Sequence, residues 1–152
     1  MDGYIVAMPL IDSQGFAHVR LTVTDIARSK AFYDQVFGWP VAVDRSADID
    51  DPEVNGSPAD IYGGTIYQTP SGALLGLRPV APPGQRADSE GTGLDHVSFQ
   101  VGSRDELVAA HQALDDAGIE HGEVTDLTDV GMAILSFEDP DGVHLELTAA
   151  LD

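Results

Sequence analysis

Polar and apolar residues alternate along two segments of the chain, Phe16 to Val23 and Leu94 to Val101. Side chains on a strand point alternately to its two faces, so this alternation predicts two strands that are apolar on one face only. A histidine begins the alternation in each segment, and the polar faces carry equivalent sets: His18, Arg20 and Thr22, then His96, Ser98 and Gln100. The segments lie about half a chain apart, which predicts one structural unit used twice.

The elements after the first of these strands form a helix and three further strands. Thr24 or Asp25 begins a helix that ends before Gly38, because its apolar residues recur at intervals of three and four. The strands are predicted at residues 39–43, 61–69 and 73–80, with a loop at 44–59 that is rich in Asp, Pro, Gly and Ser. Residues 1–14 are predicted as an extension or edge strand followed by a turn.

The second unit repeats this order. Ser103 and Glu106 form a capping box for a helix that Gly118 stops. Strands are predicted at residues 119–124, 132–137 and 143–149, with a loop at 125–131 and a turn at Glu138 to Gly142. The organisation is therefore a first module at 16–80, a Pro- and Gly-rich linker at 81–93 and a second module at 94–150. We expect one fused domain, because two independent domains of about 75 residues would each be marginally stable.

The net charge of the chain limits its partners. The 26 acidic and 7 basic residues give a formal net charge of −19. Such a charge repels nucleic acid and anionic membranes, and we interpret it as a solvated acidic surface. There are no cysteines. A membrane-spanning helix needs about 20 consecutive apolar residues, and no stretch of the sequence comes close to that length. We therefore expect a soluble cytoplasmic protein that binds neither nucleic acid nor membrane.

The last predicted strand places a carboxylate where the sequence otherwise looks buried. Glu146 lies between Leu145 and Leu147, and on a strand it shares a face with His144 and Thr148. A buried carboxylate is costly unless it is paired or binds a metal. Two histidines at equivalent positions of two repeats, together with one such carboxylate, suit a divalent first-row metal with open coordination positions. Taken singly, each residue also fits an ordinary hydrogen-bonded or solvated position, and spacing alone does not show that the three converge.

Several short motifs in combination resemble the vicinal oxygen chelate superfamily, which includes glyoxalase I, bleomycin-resistance proteins, methylmalonyl-CoA epimerase, fosfomycin-resistance enzymes and extradiol dioxygenases. The motifs are His18-Val-x-Leu-x-Val-x-Asp25, Ala31-Phe-Tyr33, Phe37-Gly38, Leu94-Asp-His96-Val-x-Phe and Asp139-Pro-Asp-Gly-x-x-Leu-Glu146-Leu. Together they extend over residues 16–149. The combination is specific, although each motif alone is loose.

The resemblance implies an α+β fold of two tandem βαβββ modules, whose strands form a curved mixed sheet around a cavity with the helices on the outer face. It also implies that His18, His96 and Glu146 hold a divalent metal, for which Fe, Mn, Zn, Ni and Co are all candidates. The family's fourth ligand position falls at or beside Gly76, which cannot bind metal, and Gln68 is a weaker substitute. Homodimers are common in the superfamily, so we expect one here, with the modules paired either within or between chains.

The polar faces also suggest which residues bind the substrate. Arg20 and Arg78 should face the cavity, where two arginines would suit a carboxylate, phenolate or phosphonate. The alternative is that each forms an ion pair with an acid such as Glu146. Candidate catalytic residues are Glu146 and Arg20, and candidate substrate-binding residues are Arg20, Arg78, Ser98, Gln100, Tyr67 and His144. We expect His111 and His121 to be surface residues.

Three functions fit these residues. The first is a metal-dependent dioxygenase, lyase or isomerase acting on a small, oxygen-chelating, anionic substrate. Glycine at the fourth ligand position weakens the glyoxalase and epimerase assignments and leaves sites for substrate and dioxygen, which favours oxygenase chemistry. The second is a metal-independent protein that binds a drug or natural product and confers resistance. The third is a regulatory module with a relic site.

Overall fold

The first module is a four-stranded sheet with one long helix. In this computed structural model, which describes residues 8–152, residues 8–17 form no helix or strand, and residues 1–7 of the predicted N-terminal extension lie outside the described part. The elements are β1 (His18–Thr22), α1 (Ile26–Val36), β2 (Val41–Asp44), the short α2 (Pro52–Asn55), β3 (Thr65–Gln68) and β4 (Leu74–Arg78). The strand order is β1-β4-β3-β2, with β1 parallel to β4 and the other pairs antiparallel.

The second module repeats this topology. Its elements are β5 (Val97–Gln100), α3 (Arg104–Asp116), β6 (Thr125–Leu127), β7 (Met132–Glu138) and β8 (His144–Ala150). The strand order is β5-β8-β7-β6, and again only the first pair is parallel. The two sheets have the same order and the same strand directions, as the predicted repeat requires.

Both long helices begin at the predicted caps. The side chain of Asp25 accepts a hydrogen bond from the Arg28 amide at 3.1 Å. The side chain of Ser103 accepts one from the Glu106 amide at 3.3 Å, while the Glu106 carboxylate returns to the Gly102 amide. These contacts satisfy amides of the first helical turn, which have no partner within the helix.

Two predicted strands differ from the structure. Residues 58–63 form a 3-10 turn, so the strand predicted at 61–69 begins only at Thr65. Ile61 and Tyr62 adopt left-handed conformations, with φ of 46° and 59°, at a kink in this turn shortly before β3 begins. Gly64 then passes so close to β4 that an added Cβ would lie 2.0 Å from the Leu77 carbonyl oxygen. Only glycine can occupy this approach.

The strand predicted at 119–124 lies further along the chain, at Thr125–Leu127, where a loop was expected. In the predicted segment, His121 alone bridges to Phe137 of β7. The loop predicted at 44–59 is partly ordered as a 3-10 turn at Ser46–Asp48 and as α2.

The two modules share one core. On α1, Phe32 lies 6.3 Å from the ring of Phe137, and Phe37, which follows this helix, lies 4.8 Å from the ring of Phe99 on β5. The turn between β7 and β8 also reaches α1, because Asp141 accepts hydrogen bonds from the amide and hydroxyl of Thr24 at 3.1 and 2.5 Å. The first helix is therefore packed and hydrogen-bonded against the second module.

Within the described residues, no helix is both long enough and apolar enough to cross a bilayer.

Candidate functional site

The polar face of the second sheet brings together two of the three predicted metal ligands. His96 immediately precedes β5, Glu146 lies on the neighbouring strand β8, and His96 Nε2 is 3.7 Å from Glu146 Oε1. The Glu146 side chain is 16% exposed and accepts a hydrogen bond from the Thr148 hydroxyl at 3.1 Å. Parallel pairing of Ser98 with Glu146 fixes this relation between the two strands.

Asp95 orients the His96 ring. Its Oδ1 lies 2.6 Å from His96 Nδ1. A carboxylate only accepts, so Nδ1 carries a proton, and the second ring nitrogen, Nε2, is the one that faces Glu146. A hydrogen bond of this kind is the usual support of a metal-binding imidazole.

A cleft of about 740 Å³ opens over this face. His96 and Glu146 form part of its lining, and Ser136, Glu138 and His144 extend the polar surface. His144 Nε2 lies 2.9 Å from Glu138 Oε1, so this half-exposed histidine is paired at the cleft and does not contact Glu146. The remaining predicted polar residues behave as a strand pattern requires: Ser98 and Gln100 are exposed on the same face, and Ser98 is hydrogen-bonded to Thr148.

His18 lies on the other sheet. It is the first residue of β1 and is exposed. Within residues 8–152, His18, His96 and Glu146 do not form a group in which all ligand atoms lie within 4.8 Å of one another. One chain thus supplies a histidine–carboxylate pair in the second module and a separate histidine in the first.

The polar face of the first sheet carries two arginines. Arg20 of β1 pairs with Gly76 of β4, and Arg78 lies two residues beyond Gly76 on the same strand. The Arg78 guanidinium lies 3.8 Å from the ring centroid of Tyr62, and its buried Nε has no hydrogen-bond partner in residues 8–152.

These two arginines differ from the other basic side chains. The remaining five of the chain's seven each lie within 4.0 Å of an acid: Arg28, Lys30, Arg45, Arg86 and Arg104. Arg20 and Arg78 make no such ion pair with any acid in residues 8–152. The predicted alternative of an ion pair with Glu146 is therefore not found, and both guanidinium groups face the open side of the first sheet.

Gly76 gives Arg20 its position. A Cβ added at Gly76 would lie 3.3 Å from Arg20 Cγ and 3.5 Å from Arg20 Nε, so the arginine crosses the space that a side chain would fill. The position expected for a fourth metal ligand is thus covered by a cation. Gln68 lies on the same face but is exposed at the end of β3.

Tyr67 does not belong to this face. Leu75 lies opposite it on β4, and both side chains are buried: Tyr67 is 0% exposed and Leu75 is 2% exposed. Placing Tyr67 among the substrate-binding residues is therefore corrected: the strand's alternation turns it into the core, while Ile66 faces the open side. His121 was expected at the surface, yet its side chain is only 6% exposed.

Known proteins match almost the whole chain. The model of the Glyoxalase/Bleomycin resistance protein/Dioxygenase superfamily matches residues 15–147. The uncharacterized protein YwkD of Bacillus subtilis (strain 168) is 30% identical over 135 residues, which cover 86% of this chain and 92% of YwkD. These matches confirm the resemblance that the short motifs predict.

Solved structures share the fold. A glyoxylase/bleomycin resistance protein/dioxygenase domain from Frankia sp. EAN1pec superposes with a TM-score of 0.72 at 25% identity, covering 93% of this chain and 95% of that chain. A mutant fosfomycin resistance protein, FosX, from Listeria monocytogenes superposes with a TM-score of 0.66 at 17% identity, covering 91% and 94%. That structure is a complex with Mn(II) and 1S,2S-dihydroxypropylphosphonic acid. The predicted fold of two tandem modules is confirmed.

Proposed function

Because the chain belongs to the Glyoxalase/Bleomycin resistance protein/Dioxygenase superfamily, we propose that it is a divalent-metal-dependent enzyme acting on a small anionic substrate that chelates through two oxygens. The observation that carries this proposal is the His96–Glu146 pair, in which Asp95 holds one imidazole nitrogen and the other faces a mostly buried carboxylate 3.7 Å away.

The donor set fits a metal. Protein nitrogen and oxygen ligands lie about 2 Å from a zinc-like ion, so two ligands of one ion are separated by about 3–4 Å. The 3.7 Å between Nε2 and Oε1 is within that range. A divalent cation bound there supplies Lewis-acid stabilisation to oxygens of the substrate. Glu146 and His96 would hold it, and the cleft over them leaves room for the substrate.

The third ligand in this proposal is the partner subunit's His18. One chain leaves two open polar faces, and their charges are opposite: the first carries Arg20 and Arg78, while the second carries Glu138 and Glu146. A two-fold dimer that places the first module of each chain over the second module of its partner would bring these faces together twice. Each of the two sites would then contain residues from both subunits.

Arg20 and Arg78 would bind the anionic part of the substrate. Their guanidinium groups have no acid partner in residues 8–152, and paired arginines suit a carboxylate, phenolate or phosphonate. The phosphonic acid bound with Mn(II) in FosX is a molecule of this class, on the same fold. With Gly76 at the fourth position, oxygenase chemistry ranks first among dioxygenase, lyase and isomerase reactions, because open positions remain for substrate and dioxygen.

Metal analysis of protein purified without chelator tests the proposal. We expect the wild type to bind metal between the modules. In His18→Ala and in Glu146→Ala the metal affinity should fall at least about 10-fold, because each substitution removes a ligand. Asp116→Asn is the matched control, since this carboxylate lies on α3, accepts a hydrogen bond from Gln112 and does not line the cleft. Its metal content should match that of the wild type.

Turnover separates the reaction classes. We expect oxygen consumption by the Fe(II)-loaded protein with a catechol or a 2-oxo acid. Proton exchange on a 2-oxo substrate under Mn or Ni, without oxygen consumption, would replace the oxygenase by an isomerase or lyase. If His18→Ala and Glu146→Ala bind as much metal at this site as the wild type, the proposed ligand set is wrong. Negligible metal in all proteins would favour the metal-independent binding protein.

A further inference from the structure

A second group of ligand-type side chains lies at the C-terminal end of α3. His111 and Asp115 are one helical turn apart, and His121 follows in the segment before β6. One ligand atom from each of these three residues lies within 4.8 Å of the other two, and in residues 8–152 no other group of three meets this condition. Glu123 lies outside this group: its Oε2 is 3.0 Å from His111 Nε2, whereas Asp115 lies at the other ring nitrogen of His111.

The His121 ring is fixed in a ligand-like orientation. Its Nδ1 lies 2.6 Å from the carbonyl oxygen of Gly122, which can only accept, so Nδ1 carries the proton. The opposite nitrogen, Nε2, lies 2.6 Å from Asp115 Oδ1, a distance that requires a proton between the two atoms, and a metal ion bound here would replace that proton. Metal-binding histidines are commonly held by a backbone carbonyl on the second nitrogen in this manner.

The two imidazoles of this group are better buried than the acids beside them, since the side chain of Asp115 is 52% exposed and that of Glu123 is 85% exposed. The His121 side chain is 6% exposed and His111 is 26% exposed, and their ring centroids lie 4.3 Å apart at an interplanar angle of 70°. Two imidazoles packed this closely, with two carboxylates beside them, provide the nitrogen and oxygen donors that bind zinc-like ions.

We propose that His111, Asp115 and His121 bind a divalent first-row transition metal ion, best matched by Zn²⁺, with water completing four-fold coordination. This site is separate from the His96–Glu146 pair and does not depend on it. Tetrahedral coordination by two histidines and carboxylates is typical of zinc.

The position of His121 assigns this ion a structural role. The backbone of His121 forms a bridge to Phe137 of β7, and His121 also lines the cleft that contains His96 and Glu146. An ion shared with α3 would tie the end of that helix to the wall of the cleft. Zinc should therefore raise the melting temperature of the protein.

Titration with Zn²⁺ and Co²⁺ in a chelator-stripped Glu146→Ala background tests the site, because that substitution removes the proposed cleft site. We expect one equivalent of Zn²⁺ per chain, a visible absorption of four-coordinate Co²⁺, and a rise in melting temperature with Zn²⁺. Adding Asp115→Asn or His111→Gln should weaken Zn²⁺ binding by more than about 100-fold, beyond the 10–100-fold of a supporting residue.

Asp116→Asn is the matched control. Asp116 is the next residue of α3 and accepts a hydrogen bond from Gln112 at 2.9 Å, so it lies outside the group. It should leave Zn²⁺ affinity unchanged. Equal affinity in the Asp115→Asn and Asp116→Asn proteins, or no Zn²⁺ binding in the Glu146→Ala background, would overturn the proposal. Circular dichroism of each variant shows that a lost site is not a lost fold.

Discussion

At the scale of single residues, Asp139 has the most demanding environment. It is 4% exposed, and its carboxylate accepts hydrogen bonds from the Tyr33 hydroxyl at 2.8 Å and from the amides of Asp141 and Val143, both at 2.9 Å. Burial raises the pKa of Asp139 above its usual value, although these donors oppose the shift. The Tyr33 hydroxyl is therefore needed to keep the ionised form stable.

Tyr33→Phe should lower the free energy of unfolding by about 1–3 kcal/mol, because one oxygen of a buried carboxylate loses its donor. The loss should be larger at pH 8 than at about pH 4, which is the usual pKa of an aspartate. With its pKa raised, Asp139 binds a proton more tightly in the folded than in the unfolded chain, so stability falls as pH rises through the folded pKa. Removing a donor raises that pKa further and enlarges the fall.

Urea unfolding at both pH values measures this effect. Tyr62→Phe is the control, because the Tyr62 ring contacts Arg78 and does not contact Asp139. Its change should be small and independent of pH. An equal loss for Tyr33→Phe at about pH 4 and at pH 8 would contradict the assigned role of the hydroxyl.

Some of these features could be predicted from the sequence, and others could not. The turn at Asp139 to Gly142 was predictable, because Asp, Pro and Gly favour turns through their own backbone geometry. The side chains that donate hydrogen bonds to Asp139 and Asp141 could not be predicted, because Tyr33 and Thr24 are more than a hundred residues away in the chain. Sequence reasoning also named His111 and His121 only as surface residues, although the His-x-x-x-Asp spacing on a predicted helix was a signal for a shared face.

At the scale of elements, α1 is tied to β2 by the chain's single lysine. Lys30 Nζ lies 2.6 Å from Asp44 Oδ2. Asp44 also accepts hydrogen bonds from the amide and hydroxyl of Ser46 at 2.9 and 2.6 Å and from the Thr65 hydroxyl at 3.1 Å. Burial alone would raise the pKa of Asp44, but the bonds from Lys30, Ser46 and Thr65 outweigh it and hold the pKa well below its usual value.

Asp44→Asn should lower the free energy of unfolding by about 1 kcal/mol at pH 7, a modest value because the group is one-third exposed. A lowered pKa contributes stability that is present above the unfolded pKa of about 4 and is lost as pH falls through the folded pKa. The difference from the wild type should therefore shrink below about pH 4. Denaturant unfolding at pH 7 and pH 3 measures it.

The control for this variant is Asp50→Asn. It makes the same replacement of a carboxylate by an amide at an exposed acid of the same loop region. Its stability should stay close to the wild-type value at both pH values. A loss for Asp44→Asn that is as large at pH 3 as at pH 7 would mean that its charge is not what stabilises the fold.

The helices were easier to predict than the strands. Asp25 and Ser103 cap their helices through contacts within four residues, so the signal is local. The bounds of β3 and β6 depend on which residues of β4 and β7 lie opposite them. Gly64 shows the difference: its requirement for glycine comes from the Leu77 carbonyl of another strand.

At the scale of the whole molecule, the duplicated sequence predicted the two equal sheets, but it could not predict how they combine. Which faces meet depends on contacts between elements far apart in the chain, or between two chains. The two open faces with opposite charge are visible only once Arg20 and Arg78 are found without acid partners in residues 8–152.

Subunit mixing tests the proposed shared site. His18→Ala and Glu146→Ala proteins should each lose the metal of the cleft, but mixed dimers would contain one intact site and one doubly altered site. After unfolding and refolding together in equal amounts, about a quarter of the sites should be restored, if the chains pair at random. Metal content or turnover of the mixture, compared with each variant refolded alone, is the measurement.

A mixture that remains as inactive as its components, while size-exclusion chromatography shows mixed dimers, would place the site within one chain. Asp115→Asn should be included in all proteins, so that Zn²⁺ bound at α3 does not contribute to the measured metal.

The contact between Asp141 and the start of α1 makes the second module depend on the first. Asp141 is 4% exposed and depends on Thr24 and Arg28 for its hydrogen bonds. A fragment that begins after the linker would lack those donors and the surface that covers Asp141. The second module is therefore incomplete by itself, and we expect the two modules to unfold together as one cooperative unit.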